Sequence, residues 1–439
     1  MFIIYIKQTW QLIKENRVLS AISIIGTALA MAMIIALVFV YEVQMTNSAP
    51  EINRDRTLYI KRISYMSNSD SIRNFGFLSQ LLIKERFYKL KNTEDVSAVS
   101  TWIDPIVVST PDELKTLRVP YIATDNGFWR IYSFRFLAGA PFTKEEFESG
   151  ICRVVISERL ARYCFGDVNE AMGRTLNLNH KEYLVCGVVA NVSSMFKISY
   201  AELWIPYTSQ EWPEQTEYQQ TMGSFICLIL ANSPSDFDNI KKEARQSIGQ
   251  LNVSLQEGKV DIFDQPYTHL YHVIDPIDNS SEKIKEVVIR YGITLLILLI
   301  VPAINLSGLT SSRMRRRIAE IGIRKTFGAT RTDIIRQVVL ENLLLTLIGG
   351  ILGLLVGYGV FIIGAKWFVG DRVSFFLGRI SSLDTFDAAN LHLLLKTVFS
   401  PFTLLIIFMF CLFLNLLSAM IPAWIASKKT IVNALNEQK

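Results

Sequence analysis

The histidines His269 and His272 have the spacing that comes closest to a metal-binding pattern in this sequence. Side chains three positions apart lie on one face of a helix and can share an ion. Protein zinc sites use three or four ligands from the chain, however, and no carboxylate or thiol at a matching spacing joins this pair. We therefore expect no metal site.

Motifs for hydrolytic and nucleotide chemistry are missing as well. The sequence contains neither Gly-x-Ser-x-Gly nor His-Glu-x-x-His, which mark serine hydrolases and zinc proteases. It also lacks the Gly-x-x-x-x-Gly-Lys-[Ser/Thr] loop that cradles nucleotide phosphates, and Gly258-Lys259-Val260 is not part of one. We expect a chain that is not an enzyme, binds no cofactor and cannot hydrolyse ATP itself.

Cysteine chemistry is left open by the sequence. Cys152, Cys164, Cys186 and Cys227 occur in one long segment, and Cys411 lies in a C-terminal apolar run. An oxidising compartment permits disulfides, and four cysteines allow three pairings. Cys186 and Cys227 lie in apolar, strand-like stretches, where a buried free thiol is common. The pattern does not choose between a disulfide and free thiols.

Apolar runs predict the overall architecture. The chain of 439 residues is 50% hydrophobic and 19% charged. Four uncharged runs each reach the roughly 20 residues that a helix needs to cross the hydrocarbon core of a membrane. We expect an α-helical integral membrane protein with a large α+β extracytoplasmic domain inserted between helices 1 and 2. The four transmembrane helices are predicted at 18–41, 287–312, 342–365 and 398–427.

The distribution of basic residues predicts the orientation. Lysines and arginines cluster before the first span, between the second and third spans, and after the fourth; such clusters mark cytoplasmic segments. We expect both termini inside, with a cytoplasmic region at 313–341 and a tail at 428–439. The segment 42–286 and the loop 366–397 are then outside. The net charge of +5 reflects this topology rather than nucleic-acid binding.

Residues 1–17 have a helical apolar face formed by Phe2, Ile6, Trp10 and Ile13. The opposite face is polar, which predicts an interfacial amphipathic helix along the inner leaflet. A plain extension of the first span is the alternative.

The segment 42–286 alternates strand-like and helix-like patterns. A β-α-β order occurs near each end of it, which favours pairing of the two units into one small α/β layer. The middle part of the segment is predicted to form a separate group of strands and helices, with a turn at Gly166-Asp167. The predicted strands lie at 58–63, 96–108, 153–156, 183–189, 225–230 and 260–263, and the predicted helices at 77–90, 160–165 and 234–251.

The cytoplasmic region 313–341 combines a basic patch with signals for two helices joined by a bend. Gly328 suits the position just past a helix end, where a positive φ is inexpensive. Thr330 is then the N-cap of a new helix, with Asp333 in a variant capping box. Such a bend can transmit a push from a cytoplasmic partner into the third span.

Small residues recur every four positions in the first and third spans. Stripes of this kind let helices approach closely, so we expect helix packing rather than transport chemistry there. The uncharged runs 18–41, 291–312, 342–365 and 398–427 contain no Asp, Glu, Lys or Arg, which argues against an ion-coupled transporter. The helix-packing residues are Ala28, Ala32 and Ala36, and Gly349, Gly353 and Gly357.

Three patterns together resemble the MacB/FtsX-like permeases, the membrane subunits of type VII ABC transporters. Residues 320–329 resemble that family's Glu-Ile-Gly-Ile-Arg-Lys…Gly-Ala element, and the Ser-Glu-x-x-Ala…Phe-Gly pattern with its Gly-Val-Val strand resembles the extracytoplasmic core domain. The closing Pro-Ala…Ala-Leu motif matches at 422–435. The resemblance covers the first span, the middle external segment and everything after about residue 287.

The resemblance implies roles for particular residues and segments. Porter-like parts would occupy 50–110 and 222–280, a sabre-like insertion 111–221, and the FtsX-like permease domain about 287–435. The basic patch alone could instead only enforce topology and bind anionic lipid. The implied ATPase-coupling residues are Glu320, Ile321, Gly322, Arg324, Lys325, Gly328 and Ala329.

The resemblance also implies a function. The chain would be the permease subunit of an ATP-driven transporter, and would couple ATP hydrolysis to movement of its external domain by mechanotransmission. Candidate substrates are amphipathic drugs, peptides or lipoproteins. An FtsX-like regulator that activates a cell-wall hydrolase and a membrane sensor are the alternatives.

The implied partners are a separate ABC ATPase subunit, which binds the ATP, and a second permease, identical or not, in a dimer within membrane lipid. The implied location is the cell inner membrane, with the large domain in the periplasm. A periplasmic adaptor, an outer-membrane factor and the identity of the substrate are left open.

Overall fold

The chain divides into two compact units. The first comprises Met1–Glu42, Ile289–Ala365 and Val398–Lys439, and the second comprises Val43–Val288 and Lys366–Thr397. The computed structural model describes residues 17–68, 73–101, 105–112, 115–193, 196, 198–212, 218–274, 285–286, 289–290, 292–293, 296–297, 308, 311–312, 323, 326–377 and 401–428.

Helices and strands are numbered in chain order. The helices are α1 Arg17–Met45, α2 Gln80–Arg86, α3 Asn126–Ile131, α4 Lys144–Glu148, α5 Glu158–Phe165, α6 Val168–Ala171, α7 Phe237–Ser254, α8 His269–Ile274, α9 Arg331–Leu377 and α10 Pro401–Lys428. The strands are β1 Thr57–Ile60, β2 Ile63–Met66, β3 Arg73–Leu78, β4 Thr93–Ser100, β5 Ile106–Ser109, β6 Thr116–Val119, β7 Tyr121–Thr124, β8 Phe136–Gly139, β9 Arg153–Ser157, β10 Thr175–Leu178, β11 Lys181–Val189, β12 Leu203–Pro206, β13 Met222–Gly223, β14 Phe225–Ala231, β15 Lys259–Asp261 and β16 Tyr267–Thr268.

Helices α1, α9 and α10 are the long apolar elements of the first unit. Within the described residues, Arg331–Val360 is the helical stretch that is long and apolar enough to cross a membrane by length and composition, and Ser20–Ile35 is a shorter apolar stretch. The predicted count of four membrane helices therefore stays a prediction. The predicted interfacial helix at 1–17 lies outside the described residues, apart from Arg17.

Helix α9 extends beyond the predicted third span at both ends. It begins at Arg331, directly after the predicted N-cap Thr330 and before the predicted span at 342. It continues to Leu377, so the first part of the predicted external loop at 366–397 is helical. The sequence contains no proline between these two residues, and a proline in the interior would kink or break the helix.

The second unit is an α+β domain built around β14. This strand pairs antiparallel with β1 and β4, and all its residues are buried. Its side chains alternate between two hydrophobic cores, with Cys227 and Ile229 in one and Ile226 and Leu228 in the other. A central strand covered on both faces is expected to be a continuous apolar run, as this one is.

Helix α7 covers one face of this sheet. Its buried residues Ile240, Ala244, Ile248 and Leu251 recur at helical spacing, because one apolar stripe must face the core. The shorter helix α2 begins at the N-cap Ser79, whose hydroxyl accepts a hydrogen bond from the Leu82 amide. The predicted β-α-β pattern at both ends of the domain is confirmed, with these helices between strands.

The middle of the domain contributes a second group of strands. β9 pairs parallel with β11 and antiparallel with β12, and β12 pairs parallel with β7. The predicted strands at 153–156 and 183–189 and the helix at 160–165 are confirmed. Helix α5 ends at Gly166, whose φ of 88° suits a residue without a side chain.

Two predicted strands are each split in the structure. The prediction at 58–63 becomes β1 and β2, since the side chain of the buried Gln265 bonds the Lys61 amide at 2.6 Å and the Arg62 carbonyl at 2.6 Å. The prediction at 96–108 becomes β4 and β5. Pro105 precedes β5 and has no N–H to continue the ladder.

Candidate coupling site

A glycine bend precedes helix α9. The Phe327 amide bonds the Ile323 carbonyl at 3.3 Å, which closes a helical turn, and Gly328 follows with a φ of 89°. A Cβ added at Gly328 would meet no atom within 4 Å. The backbone conformation, rather than lack of space, is therefore what requires glycine here. Ala329 continues the chain to the N-cap.

Thr330 and Asp333 form the predicted capping box at the start of α9. The Thr330 amide donates to Asp333 Oδ2 at 3.0 Å, and the Asp333 amide donates to Thr330 Oγ1 at 3.3 Å. The Thr330 hydroxyl also donates to Asp333 Oδ2, at 2.6 Å. These bonds satisfy amides that a helix start leaves without partners, so the first turn of α9 is capped directly after the bend.

The residues before the bend lie mostly outside the description. Glu320, Ile321, Gly322, Arg324 and Lys325 are not among the described residues, so their coupling role stays a prediction. Two apolar neighbours are described and exposed, Ile323 at 50% and Phe327 at 88%.

The glycine stripe of α9 lies against α1. A Cβ added at Gly353 would lie 2.6 Å from Met31 Cβ and 2.8 Å from the Ala28 carbonyl oxygen. At Gly349 it would lie 2.9 Å from Thr27 Cβ. Contacts below 3.0 Å are not tolerated by real Cβ atoms, so these positions admit only glycine without movement of α1.

The two helices run in the same direction. Gly349 is opposite Thr27, and eight residues later Gly357 is opposite Ala32, with an added Cβ 3.0 Å from the Ala32 Cα atom. Residue numbers therefore rise together along both helices, so α1 and α9 are parallel. Ala36 lies one turn further along α1, and its side chain is outside the described residues.

A third helix, α10, also contacts α9 beside the glycine stripe. A Cβ added at Gly350 would lie 2.6 Å from Phe408 Cε2 of α10 and 3.1 Å from Met31 Cε of α1. Helices α1, α9 and α10 of the first unit therefore pack together here.

The N-terminal half of the α1–α9 pair buries polar side chains that the sequence reasoning missed. Glu341 is 5% exposed and falls on the face of α9 that also buries Ile334, Val338 and Leu345. The helical spacing of Glu341 from these residues could have predicted its burial. The predicted third span began one residue later, at 342, and therefore left Glu341 out. The buried polar residues of this stretch are Ser20, Ser23, Thr27, Glu341, Asn342 and Thr346.

The segment that follows α1 is anchored in the second unit by a buried ion pair. Arg54 Nε lies 2.8 Å from Glu51 Oε2, with side chains 3% and 5% exposed. Arg54 also donates to the Thr46 carbonyl at 2.9 Å, and Ser199 donates to Glu51 Oε1 at 2.7 Å. The Arg54 guanidinium lies over the Phe196 ring. The chain leaving α1 is therefore tied to the middle of the domain.

Comparison with known families decides the assignment. Residues 20–247 match the family described as MacB-like periplasmic core domain, and residues 292–431 match the FtsX-like permease C-terminal family. The chain belongs to the MacB/FtsX-like ABC transporter permeases. The predicted family is thereby confirmed, and with it a membrane permease that has a periplasmic or extracellular domain.

Relatives of the permease differ from it in length. The macrolide export ATP-binding/permease protein MacB 1 of Yersinia pestis bv. Antiqua (strain Antiqua) is 24% identical over 368 residues, which cover 83% of this chain and 54% of that protein. The uncharacterized ABC transporter permease YknZ of Bacillus subtilis (strain 168) is 26% identical over 264 residues, 58% of this chain and 62% of that protein. The permease thus spans about half the length of the first of these relatives.

Among solved structures, the periplasmic region of MacB from Actinobacillus actinomycetemcomitans matches with a TM-score of 0.33 and 13% identity. The match covers 47% of the permease and 88% of that chain.

The histidine pair of the permease packs on a tyrosine. The Tyr59 hydroxyl lies 2.9 Å from His269 Nδ1, and the His272 ring stacks on the Tyr59 ring with centroids 4.3 Å apart. Within the described residues, no group of three or more His, Cys, Asp or Glu side chains could hold a metal ion. The pair joins α8 to β1.

The four domain cysteines of the permease are free thiols. Burial raises the pKa of Cys164 to about 11 and that of Cys186 to about 12. Burial also raises the pKa of Cys227 well above its ordinary value. Cys152 is half-buried. The open question about disulfides is therefore answered by four thiols that form no disulfide.

We expect alkylation to distinguish these thiols. Because the thiolate is the reactive form, Cys164, Cys186 and Cys227 will react slowly with N-ethylmaleimide at neutral pH. Their raised pKa values mean that alkylation accelerates as the pH rises. Site-resolved mass spectrometry measures this, with the denatured permease as the control in which all four react. Rapid labelling of Cys227 in the folded permease would contradict the prediction.

Proposed function

We propose that this permease is the membrane subunit of an ATP-driven ABC transporter and works by mechanotransmission. An ABC ATPase would bind and hydrolyse ATP in the cytoplasm and move the segment before Gly328. Helix α9 would carry that movement along the membrane part of the chain, and the external domain would respond. The observation that carries the proposal is the capped glycine bend leading directly into one long helix.

The length and capping of α9 support a lever. A helix of 47 residues spans roughly 70 Å at 1.5 Å per residue, which exceeds the thickness of a bilayer. The capping box at Thr330 fixes its first turn. A push at the bend therefore displaces α9 as a body instead of unwinding its start.

The exposed apolar residues at the bend support docking of an ATPase there. Phe327 is 88% exposed, and neighbouring apolar side chains on a surface are a typical feature of protein interaction sites. Ile323, one turn earlier, is 50% exposed. Together they offer an apolar contact, and the basic stretch 313–317 precedes them in the sequence.

Packing of α9 on α1 supports transfer of the movement. An added Cβ at Gly349 or Gly353 would clash with α1, so the two helices lie in close contact and would move together. Helix α1 leads to the segment held by Glu51 and Arg54. The parallel direction of the two helices also fits a topology in which both enter the membrane from the cytoplasm.

The proposed substrate is an amphipathic molecule handled outside the membrane. The relatives named for macrolide export suggest this class, and it comes to the present chain only as a proposal. The proposed partners are an ABC ATPase and a second permease copy or homologue in the inner membrane, and the ATP belongs to the ATPase. The alternative to transport is that the same movement of α9 activates a cell-wall hydrolase.

The bend provides the test. Gly328→Val forces a β-branched residue into a positive φ, which costs about 1–2 kcal/mol. We expect the variant to bind its ATPase normally but to lose most of the coupled ATP hydrolysis in reconstituted complexes. The permease without ATPase gives the background rate.

A matched control exists in the same chain. Gly166 has a φ of 88°, and an added Cβ there also meets no atom within 4 Å. Gly166→Val should therefore carry a similar backbone cost without touching the bend, and should leave coupling unchanged. If both variants couple normally, the bend does not transmit force. Loss of coupling in both would indicate general destabilisation.

A further inference from the structure

One exposed sheet face of the external domain combines arginines with phenylalanines. Strands β15, β2 and β3 pair antiparallel in that order, with β15 at the end of the sheet. Met66 is opposite both Arg73 and Lys259, so these three side chains share a face. The residues of this Arg–Phe face are Arg62, Met66, Arg73, Phe75, Phe77, Lys259 and Phe263.

The aromatic rings of the face are ordered by mutual contacts. Phe75 and Phe263 stack with centroids 6.1 Å apart and planes 12° apart. The Arg73 guanidinium lies 5.8 Å from the Phe263 centroid, and the Arg62 guanidinium lies 5.4 Å from the Phe77 centroid. These cation–π contacts hold the guanidinium groups in place.

The face nevertheless remains open to solvent. Phe75 is 59% exposed and Met66 is 38% exposed. Phe263 has a φ of 56°, a left-handed conformation that is rare for a bulky side chain. Residues held in such conformations concentrate at functional positions, and here the conformation places the Phe263 ring against Phe75 and Arg73.

The charge of the face is unbalanced. Among the ion pairs formed by described residues, none includes Arg62, Arg73 or Lys259. Asp261 lies on the same side of β15, and its carboxylate accepts a hydrogen bond from the Phe263 amide at 2.8 Å. The described residues of the face therefore carry three cations and one carboxylate. A binding partner that carries carboxylates would complement this surface.

We propose that the Arg–Phe face is the docking surface for a segment of a partner protein that presents an apolar side chain flanked by carboxylates. Aromatic residues, methionine and arginine are the types enriched at the centres of protein interfaces. A guanidinium stacked on a ring keeps its N–H edge free for a two-point bond to a carboxylate. The apolar side chain would cover Phe75 and Met66.

A second copy of the chain is a poorer occupant. A two-fold contact through this face brings like patches together, so the cations of one copy would face those of the other, which is unfavourable. A lipid surface is also less suited. Attraction to anionic lipid needs only mobile positive charge. Two of the three cations here are guanidinium groups held in place on aromatic rings.

The proposal is separate from force transmission, and its experiment uses the full permease in amphipol. A phage-displayed library of random peptides is selected on the wild-type permease and counter-selected on the Arg73→Glu/Phe75→Ser variant. We expect the enriched peptides to share carboxylates next to an apolar residue. A synthetic peptide of that consensus should bind the variant roughly tenfold or more weakly.

Control variants separate the face from general surface effects. Lys242→Glu and Val253→Ser alter an exposed cation and an 88% exposed apolar side chain on α7, and they should leave the affinity for the peptide unchanged. A peptide with lysines in place of its carboxylates should bind an Arg62→Glu/Arg73→Glu variant better than it binds the wild type. Such a charge exchange also shows that the variant is folded.

Three results would overturn the proposal. The first is a library selection with no enrichment that depends on Arg73 and Phe75. The second is enrichment of basic or purely apolar peptides. The third is that the permease floats with phosphatidylglycerol vesicles only when Arg73 and Phe75 are present, and that the consensus peptide does not bind. That result would assign the face to lipid. Coupled ATP hydrolysis should be unaffected by the variants in each case, so failure here leaves the proposed function standing.

Discussion

Replacement of Gly353 by isoleucine will separate α1 from α9 and abolish coupling. The new Cβ would lie 2.6 Å from Met31 Cβ and 2.8 Å from the Ala28 carbonyl oxygen. The carbonyl belongs to the backbone of α1 and cannot move without the helix. Overpacking of this kind costs about 1–3 kcal/mol, and the remaining side-chain atoms of isoleucine add to it.

The measurements are the thermal unfolding midpoint of the purified permease and the ATPase-coupled activity of the reconstituted complex. Gly359→Ile is the control, because an added Cβ at Gly359 of the same helix meets no atom within 4 Å. We expect a lower midpoint and little coupled activity for Gly353→Ile, and near wild-type values for Gly359→Ile. Equal behaviour of the two variants would mean that α9 does not pack on α1 along the glycine stripe.

Replacement of Arg54 by methionine will strongly destabilise the external domain. The change removes one partner of a buried ion pair and leaves the Glu51 carboxylate uncompensated, since both side chains are at most 5% exposed. Breaking a buried pair in this way costs about 3–5 kcal/mol. The variant also loses the bond to the Thr46 carbonyl and the contact with the Phe196 ring.

Urea denaturation of the domain expressed as residues 46–274 measures the free energy of unfolding. Arg162→Met is the control, because Arg162 pairs with Glu158 one turn away on an exposed surface; such pairs contribute only about 0.3–0.5 kcal/mol. Adding Glu51→Gln to Arg54→Met should recover part of the loss by removing the buried charge. A loss for Arg54→Met no larger than for Arg162→Met would show that the pair does not anchor this segment.

Local features of the glycine bend before α9 could be predicted from the sequence. The positive φ of Gly328 and the capping box of Thr330 and Asp333 depend on interactions within a few residues. Helix α5 and strands β9 and β11 were also predicted at nearly their observed positions. In each case the residue types needed for the local conformation follow one another along the chain.

Features that depend on distant partners were not predicted. The split between β1 and β2 depends on Gln265, about two hundred residues away. The anchor at Glu51 needs Ser199. The burial of Glu341 was missed because the span was defined by uncharged residues, and only the packed structure shows which face of α9 is covered.

The sequence by itself determined the family, the apolar runs, the local caps and the residues small enough for close helix packing, because these depend on residue type and short spacing. Only the tertiary structure decided that the glycines of α9 face α1, that the two helices are parallel, and that Arg62 and Arg73 lie on phenylalanine rings. It also decided that the four domain cysteines are free thiols. The physical reason is that a spacing pattern marks which residues share a face, whereas the partner of that face is selected by packing among segments far apart in the chain.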